Sequence, residues 1–116
     1  MNVLPVALIG AGGIAQAHLR AISQLQQIEA VAVMDTNPQS LQAIVTQYRL
    51  RPYDNLEAVL NDPQVEAVHV CTPHYLHAEQ VVTAAQAGKH VLVEKPMALS
   101  VADCDRMIAA LSLIHI

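Results

Sequence analysis

The stretch Val6-Ala7-Leu8-Ile9-Gly10-Ala11-Gly12-Gly13-Ile14-Ala15 leaves little freedom to the fold around it. An apolar run stops at Gly10 and a helical pattern follows at once, so a strand, a tight turn and a helix N-terminus share one short segment. Gly10, Gly12 and Ala15 satisfy G-x-G-x-x-G/A, and each small residue meets a separate need. The first lets the chain leave the strand sharply, the second lets backbone approach a diphosphate, and the third lets the helix lie close to its sheet. Free amides and the positive end of the helix dipole then face the phosphates. A second apolar run, residues 28–34, ends in Asp35. That is about twenty residues past the motif, where a carboxylate can accept hydrogen bonds from adenosine ribose hydroxyls. The two features together point to a bound dinucleotide.

Composition narrows the class. A chain of 116 residues can build one domain with its own core, not two. Apolar residues make up 53%, with neither Trp nor Phe, and continuous aliphatic runs suit parallel strands buried on both faces. A net charge of −4 argues against nucleic acid as a partner, because phosphate-backbone binders need a basic surface. The two cysteines, Cys71 and Cys104, with no secretory leader ahead of them, suggest a reducing cytoplasm. No apolar run approaches the roughly 20 residues that span a bilayer, so a soluble protein is expected.

In chain order, residues 3–9 read as the first strand, with Pro5 tolerable near its start. The next helix is expected to bury Ile14, Ala17, Ala21 and Leu25, with Gln16, Arg20, Gln24 and Gln27 opposite and His18 beside the stripe. Asn37 before Pro38 is a strong helix start, and that helix should carry Leu41, Ile44 and Val45 and end near Tyr48. Arg51-Pro52-Tyr53 is an edge-strand candidate, residues 56–60 a brief helix, and Asn61-Asp62-Pro63 a turn. Residues 65–71 form the next buried strand, after which Thr72 can cap and Pro73 open a helix over 74–87. Gly88 sits where a left-handed C-cap glycine belongs, ahead of a strand over 90–93. Ser100 with Asp103 suggests a capping box for a last helix that carries Val101, Cys104, Ile108 and Leu111 on one face. Alternating strands and helices imply right-handed crossovers and a doubly wound parallel sheet, an α/β fold that binds ligands beyond its strands' carboxyl ends. Gly10, Asp35, Thr72 and Glu94-Lys95 each follow a strand's last apolar residue, so four strand ends aim small or polar groups at one crevice.

Gly10-Ala11-Gly12-Gly13-Ile14-Ala15, Cys71-Thr72-Pro73-His74-Tyr75-Leu76-His77 and Gly88-Lys89-His90-Val91-Leu92-Val93-Glu94-Lys95-Pro96 resemble, in order and spacing, the N-terminal half of the Gfo/Idh/MocA oxidoreductases. This is the family of glucose–fructose oxidoreductase and inositol dehydrogenase, and the resemblance runs to about Ala110. It implies a Rossmann domain over 1–111 and NAD(P)-dependent hydride transfer to or from a sugar, polyol or related hydroxyl compound. By the same resemblance, backbone at Gly12, Gly13 and Ile14 would contact the pyrophosphate and Asp35 the adenosine ribose. Thr72 and Pro73 would border the nicotinamide side with His77 nearby, and Glu94 would contact the nicotinamide ribose or its surroundings. Lys95 would lie beside the cofactor and reach the substrate hydroxyl, with Pro96 as a candidate cis-proline that aims it. Members carry a second, substrate-binding domain that this chain lacks. Residues 112–116 do not match the family pattern, which suggests a truncation. Apolar surface left uncovered would favour self-association.

A lysine suits this chemistry, because its ammonium can stabilise charge developing on the substrate oxygen and relay a proton. Partial burial beside the cofactor would lower its pKa toward the working pH. Asp35 would repel the extra phosphate of NADP and no arginine follows at Thr36 or Asn37, so NAD is expected over NADP, with Arg49 and Arg51 the residues that could alter this. His69, Cys71, His74 and His77 could form a metal site only if strand and helix converged on one point, and no metal is expected. The isolated chain should bind NAD weakly and turn nothing over. A dinucleotide-binding module without chemistry of its own remains the alternative.

Overall fold

The burial of the opening strand sets the architecture. In the computed structural model, which describes residues 3–93 and 101–111, Val6, Ala7, Leu8 and Ile9 of β1 (Leu4–Ile9) have no exposed surface at all. Such a strand needs cover on both faces, and the elements that follow supply it. They are α1 (Gly13–Ile22), β2 (Ile28–Met34), α2 (Pro38–Tyr48), β3 (Arg51–Tyr53), α3 (Leu56–Leu60), β4 (Ala67–Val70), a 3₁₀ turn (His74–Leu76), α4 (His77–Gln86), β5 (His90–Val93) and α5 (Val101–Leu111). The strands pair in the order β3-β2-β1-β4-β5, parallel throughout. Side chains of β1 alternate between two cores. Val6 and Leu8 join Ala15, Leu19, Ile22, Val33 and Ile44 on one side, and Ala7 and Ile9 join Val68, Val70, Val81 and Met107 on the other.

Local signals set most element ends. Asn37 caps α2 through its side chain, accepting from the amides of Gln39 at 2.9 Å and Ser40 at 3.2 Å, with Pro38 as the first helical residue. Asn55 caps α3 by accepting from Ala58 at 2.8 Å. Gly88 follows α4 with φ +81°, a left-handed position that glycine adopts without strain. Ser100, the expected cap of α5, lies outside the described residues.

The structure corrects two helix faces. Helix α1 buries Ala15, Leu19 and Ile22, while Ile14, Ala17, Ala21 and the following Leu25 face solvent, Ile14 being 51% exposed. The glycine turn brings Ala15 onto the sheet, and Leu19 and Ile22 then follow at helical spacing; the Ile14 stripe is offset by one residue from this face. Helix α5 turns Met107 and Ala110 inward against α4, whereas Ile108 is 58% exposed and Cys104 half-buried. Strand β4 is also shorter than 65–71, although Val65 is buried.

The end of the sheet away from the strand C-termini is tied by polar contacts. Lys89 Nζ donates to the carbonyls of Val65 at 2.5 Å and Asp62 at 3.2 Å. Asp62 accepts from Tyr53 Oη at 2.7 Å, Arg51 Nη2 at 2.8 Å and the Gln64 amide at 2.9 Å, which fastens edge strand β3 to the loop before β4. The Tyr53 hydroxyl first, then the Gln64 amide and Arg51, hold the Asp62 carboxyl below its usual value of 3.8, against burial.

Two predictions follow from the packing. Leu19→Ala should lower stability by about 2–5 kcal/mol in denaturant titration, while Ile108→Ser stays within about 0.5 kcal/mol; equal losses would restore the one-residue-shifted faces. A depressed folded pKa at Asp62 means stability that is full above the unfolded value and lost as pH falls through the folded one. Wild type should therefore lose more of its denaturant midpoint between pH 5 and pH 3 than Asp62→Asn does, and parallel acid limbs would contradict this assignment.

Candidate functional site

Strand pairing carries three chain ends to one level. The Gly10 amide donates to Met34 O at 2.7 Å, Cys71 N to Ile9 O at 2.8 Å and Asp35 N to Tyr53 O at 3.1 Å, so the ladders extend to the last residue before each loop. The chain runs outward from β1 through β2 to β3, then returns to build β4 and β5 on the other side. The point where direction reverses lies between β1 and β4, which is where an open α/β sheet leaves a crevice. A cleft of about 360 Å³ occupies it, lined by Gly10, Ala11 and Gly12, by residues 34–37 with Ser40, and by residues 71–73 with Tyr75, Leu76 and Gln80.

The glycines play different parts. Gly10 has φ +105°, and a Cβ built on it would stand 2.9 Å from Cys71 O and 3.1 Å from Thr72 Cγ2. Gly12 is extended, at φ −87°, and a Cβ there or at Gly13 would meet nothing within 4 Å. Gly12 provides no side-chain cap to α1, so the first-turn amides are left for another acceptor. Open space above capless amides at a helix N-terminus is a cradle that an anion fits. Gly10→Ala should accordingly lower stability by at least about 1–3 kcal/mol from backbone strain alone, while Gly12→Ala stays within about 0.5 kcal/mol. Comparable thermal midpoints for the two variants would refute that division.

Asp35 closes the β2 side of the cleft. Its Oδ2 accepts from the Ala11 amide at 2.8 Å and its Oδ1 from the Asn37 amide at 2.8 Å. The carboxylate therefore braces the glycine loop as well as facing the cleft, with lone pairs on both oxygens still available. On the β4 side, Thr72 does not cap a helix. Its hydroxyl donates to Gln80 Oε1, a 3₁₀ turn intervenes, and α4 starts only at His77. The Leu76 amide donates to Pro73 O at 3.0 Å within that turn. Pro73 lines the cleft, and Tyr75, 70% exposed, stands at its mouth.

His77 is not on the cleft wall. It has no exposed surface, and its Nε2–H donates to Thr72 O at 2.9 Å. Gly13 and Ile14 lie in the first turn of α1, and Ile14 turns its side chain outward. Glu94, Lys95 and Pro96 lie outside the described residues. Gln80 and Ser40 line the cleft without any motif to mark them, and only their spacing from Thr72 and Asn37 could have suggested it, whereas Leu76, also on the lining, falls inside the Cys71–His77 stretch.

The arginines that bear on cofactor choice stand away from the cleft. Arg51 is held by Asp62 and by Gln64 Oε1 at 2.7 Å, and Arg49 ends α2 in a left-handed conformation at φ 57°. Among the described residues, the cleft lining holds one carboxylate and no lysine or arginine. Nor do the described residues bring three or more potential metal ligands together. What does meet is His18 with His69, Nδ1 to Nδ1 at 3.2 Å and edge to face, one ring donating and the other accepting. Burial, with a smaller contribution from His18, holds His69 below its usual value of 6.5. None of the described helices is long and apolar enough to cross a membrane.

Residues 4–112 match the family described as "Oxidoreductase family, NAD-binding Rossmann fold". The inositol 2-dehydrogenase of Salmonella typhimurium is 34% identical over 110 residues, which cover 92% of this chain and 33% of that enzyme. Among solved structures, the WlbA dehydrogenase of Bordetella pertussis, in complex with NADH and UDP-GlcNAcA, superposes with a TM-score of 0.93 at 38% identity, covering 96% of this chain and 34% of that one. KijD10, a 3-ketoreductase of Actinomadura kijaniata in complex with NADP and TDP-benzene, gives 0.90 at 30% identity with the same coverage. The chain thus spans about a third of the length of each of these relatives.

Proposed function

The chain belongs to the Gfo/Idh/MocA family of NAD-binding oxidoreductases, and from that premise we propose that it is the cofactor-binding domain of a dehydrogenase acting on a sugar or polyol hydroxyl. The observation that carries the proposal is the cleft at the reversal point, with unfilled space over Gly12 and Gly13 and a carboxylate at one end. The amides of Gly12, Gly13 and Ile14, where α1 begins without a cap, would hold the diphosphate. Asp35 would accept from the adenosine ribose, and Thr72 and Pro73, on the far side of the glycine loop in the sheet order, would border the other half of the dinucleotide.

Bound nicotinamide supplies the hydride acceptor or donor. The chain's own contribution to the chemistry is Lys95, which as the neutral amine would take the hydroxyl proton when the alcohol is oxidised, and as the ammonium would stabilise charge on the oxygen and return that proton when the carbonyl is reduced. By the family resemblance, Glu94 would contact the nicotinamide ribose and Pro96 would direct the lysine. The family relatives about three times as long include an enzyme named for inositol and a dehydrogenase solved with a nucleotide sugar, which supports a polyhydroxylated substrate.

The cofactor is NAD in preference to NADP. One relative was solved with NADH and another with NADP, so the choice rests on Asp35 and on a cleft lining that, among the described residues, carries no lysine or arginine. Calorimetric titration should show NADH bound at least about tenfold more tightly than NADPH, a difference of about 1.4 kcal/mol. Gly12→Val should abolish binding with little change in thermal midpoint, because the new side chain fills the diphosphate space. Asp35→Ala should erase the preference and weaken both ligands, since the brace on Ala11 goes with the carboxylate. Equal affinity of wild type for both dinucleotides would remove the assignment to NAD, and binding of neither would remove the dinucleotide site.

A further inference from the structure

Helix α4 turns two polar side chains toward the sheet among its buried Ala78, Val81, Ala84 and Ala85. His77 is completely buried and Gln80 is 9% exposed. Buried polar groups need partners, and both side chains reach Thr72. His77 Nε2–H donates to Thr72 O at 2.9 Å, and Gln80 Oε1 accepts from the Thr72 hydroxyl. The third side of Thr72, its methyl group, faces Gly10, where an added Cβ would stand 3.1 Å from Cγ2.

Thr72 is therefore held at its backbone, its hydroxyl and its methyl, which leaves one rotamer. Because the hydroxyl hydrogen is committed to Gln80, Thr72 can offer the cleft only acceptor lone pairs. The half of a dinucleotide beyond the diphosphate carries donors to meet them, ribose hydroxyls and a carboxamide N–H.

We propose that His77 and Gln80 are a positioning pair that sets the acceptor on Thr72 for the nicotinamide half of the cofactor, His77 acting without touching the ligand. The role rests on the dinucleotide occupying the cleft. Sequence resemblance placed His77 near the cofactor; burial moves it one layer back, and Gln80 joins it through Thr72.

The test uses NADH and ADP, the latter carrying only adenosine and diphosphate, titrated into the 116-residue chain. His77→Leu and Gln80→Leu should each weaken NADH about tenfold while ADP changes less than about twofold. His77→Gln, whose amide can still donate to Thr72 O, should return NADH to within about threefold of wild type. A merely structural role would weaken both ligands in parallel, and that result overturns the proposal, as does unchanged NADH affinity in the leucine variants. Should His77→Leu fail to fold, Gln80→Leu on the cleft wall decides alone. Wild type binding neither ligand would refute the dinucleotide site itself, whereas wild type binding both with the ratio unmoved in the variants refutes only the positioning pair.

Discussion

A glycine Cα set against a peptide carbonyl makes the cleft possible. The ends of β1 and β4 lie side by side although much of the chain separates them, and the loops leaving them must cross within van der Waals distance. Gly10 permits this at φ +105°, with Cys71 O and the Thr72 methyl where any side chain would go. A larger residue would push the β4 loop outward or the glycine loop off the sheet, and either shift would remove the wall against which a ligand could rest. Asp35 holds the opposite side through Ala11, so the glycine loop is fixed between two braces before anything binds.

The two ends of the sheet are built on different principles. Away from the cleft, charged side chains satisfy carbonyls and each other, with Lys89 across the loop before β4 and Asp62 joining Tyr53 and Arg51. Among the described residues at the cleft, Asp35 is the one charged side chain, and the first-turn amides of α1 have no side-chain cap. Such a division suits a site for a diphosphate. Amides at a helix terminus bind an anion through fixed dipoles, with no flexible side chain to order.

Features that depend on near neighbours in the chain were legible in the residues. Asn37-Pro38 starts α2 by a side chain reaching amides two and three positions on, and Gly88 follows α4 at positive φ. Gly10 and Asp35 were legible because strand ends mark themselves by the loss of apolar residues. The inward faces of α1 and α5 were not. Both helices carry small or apolar residues nearly all round, so two adjacent stripes satisfy helical spacing equally well. Which one turns inward depends on the rotation with which the helix docks, set for α1 by the glycine turn and for α5 by the small residues of α4. His77 shows the same limit: its spacing puts it near the loop, but only packing puts it beneath.

By itself, the sequence determined the order of strands and helices, the sharp glycine turn and the carboxylate after β2, because each depends on φ/ψ preference, capping or burial along a short stretch of chain. Tertiary structure alone decided that β4 sits beside β1, that Asp35 grips Ala11, and that Gly10 meets Cys71 O and the Thr72 methyl. Those outcomes come from contacts between distant segments, whose geometry is set by how closely whole elements can approach.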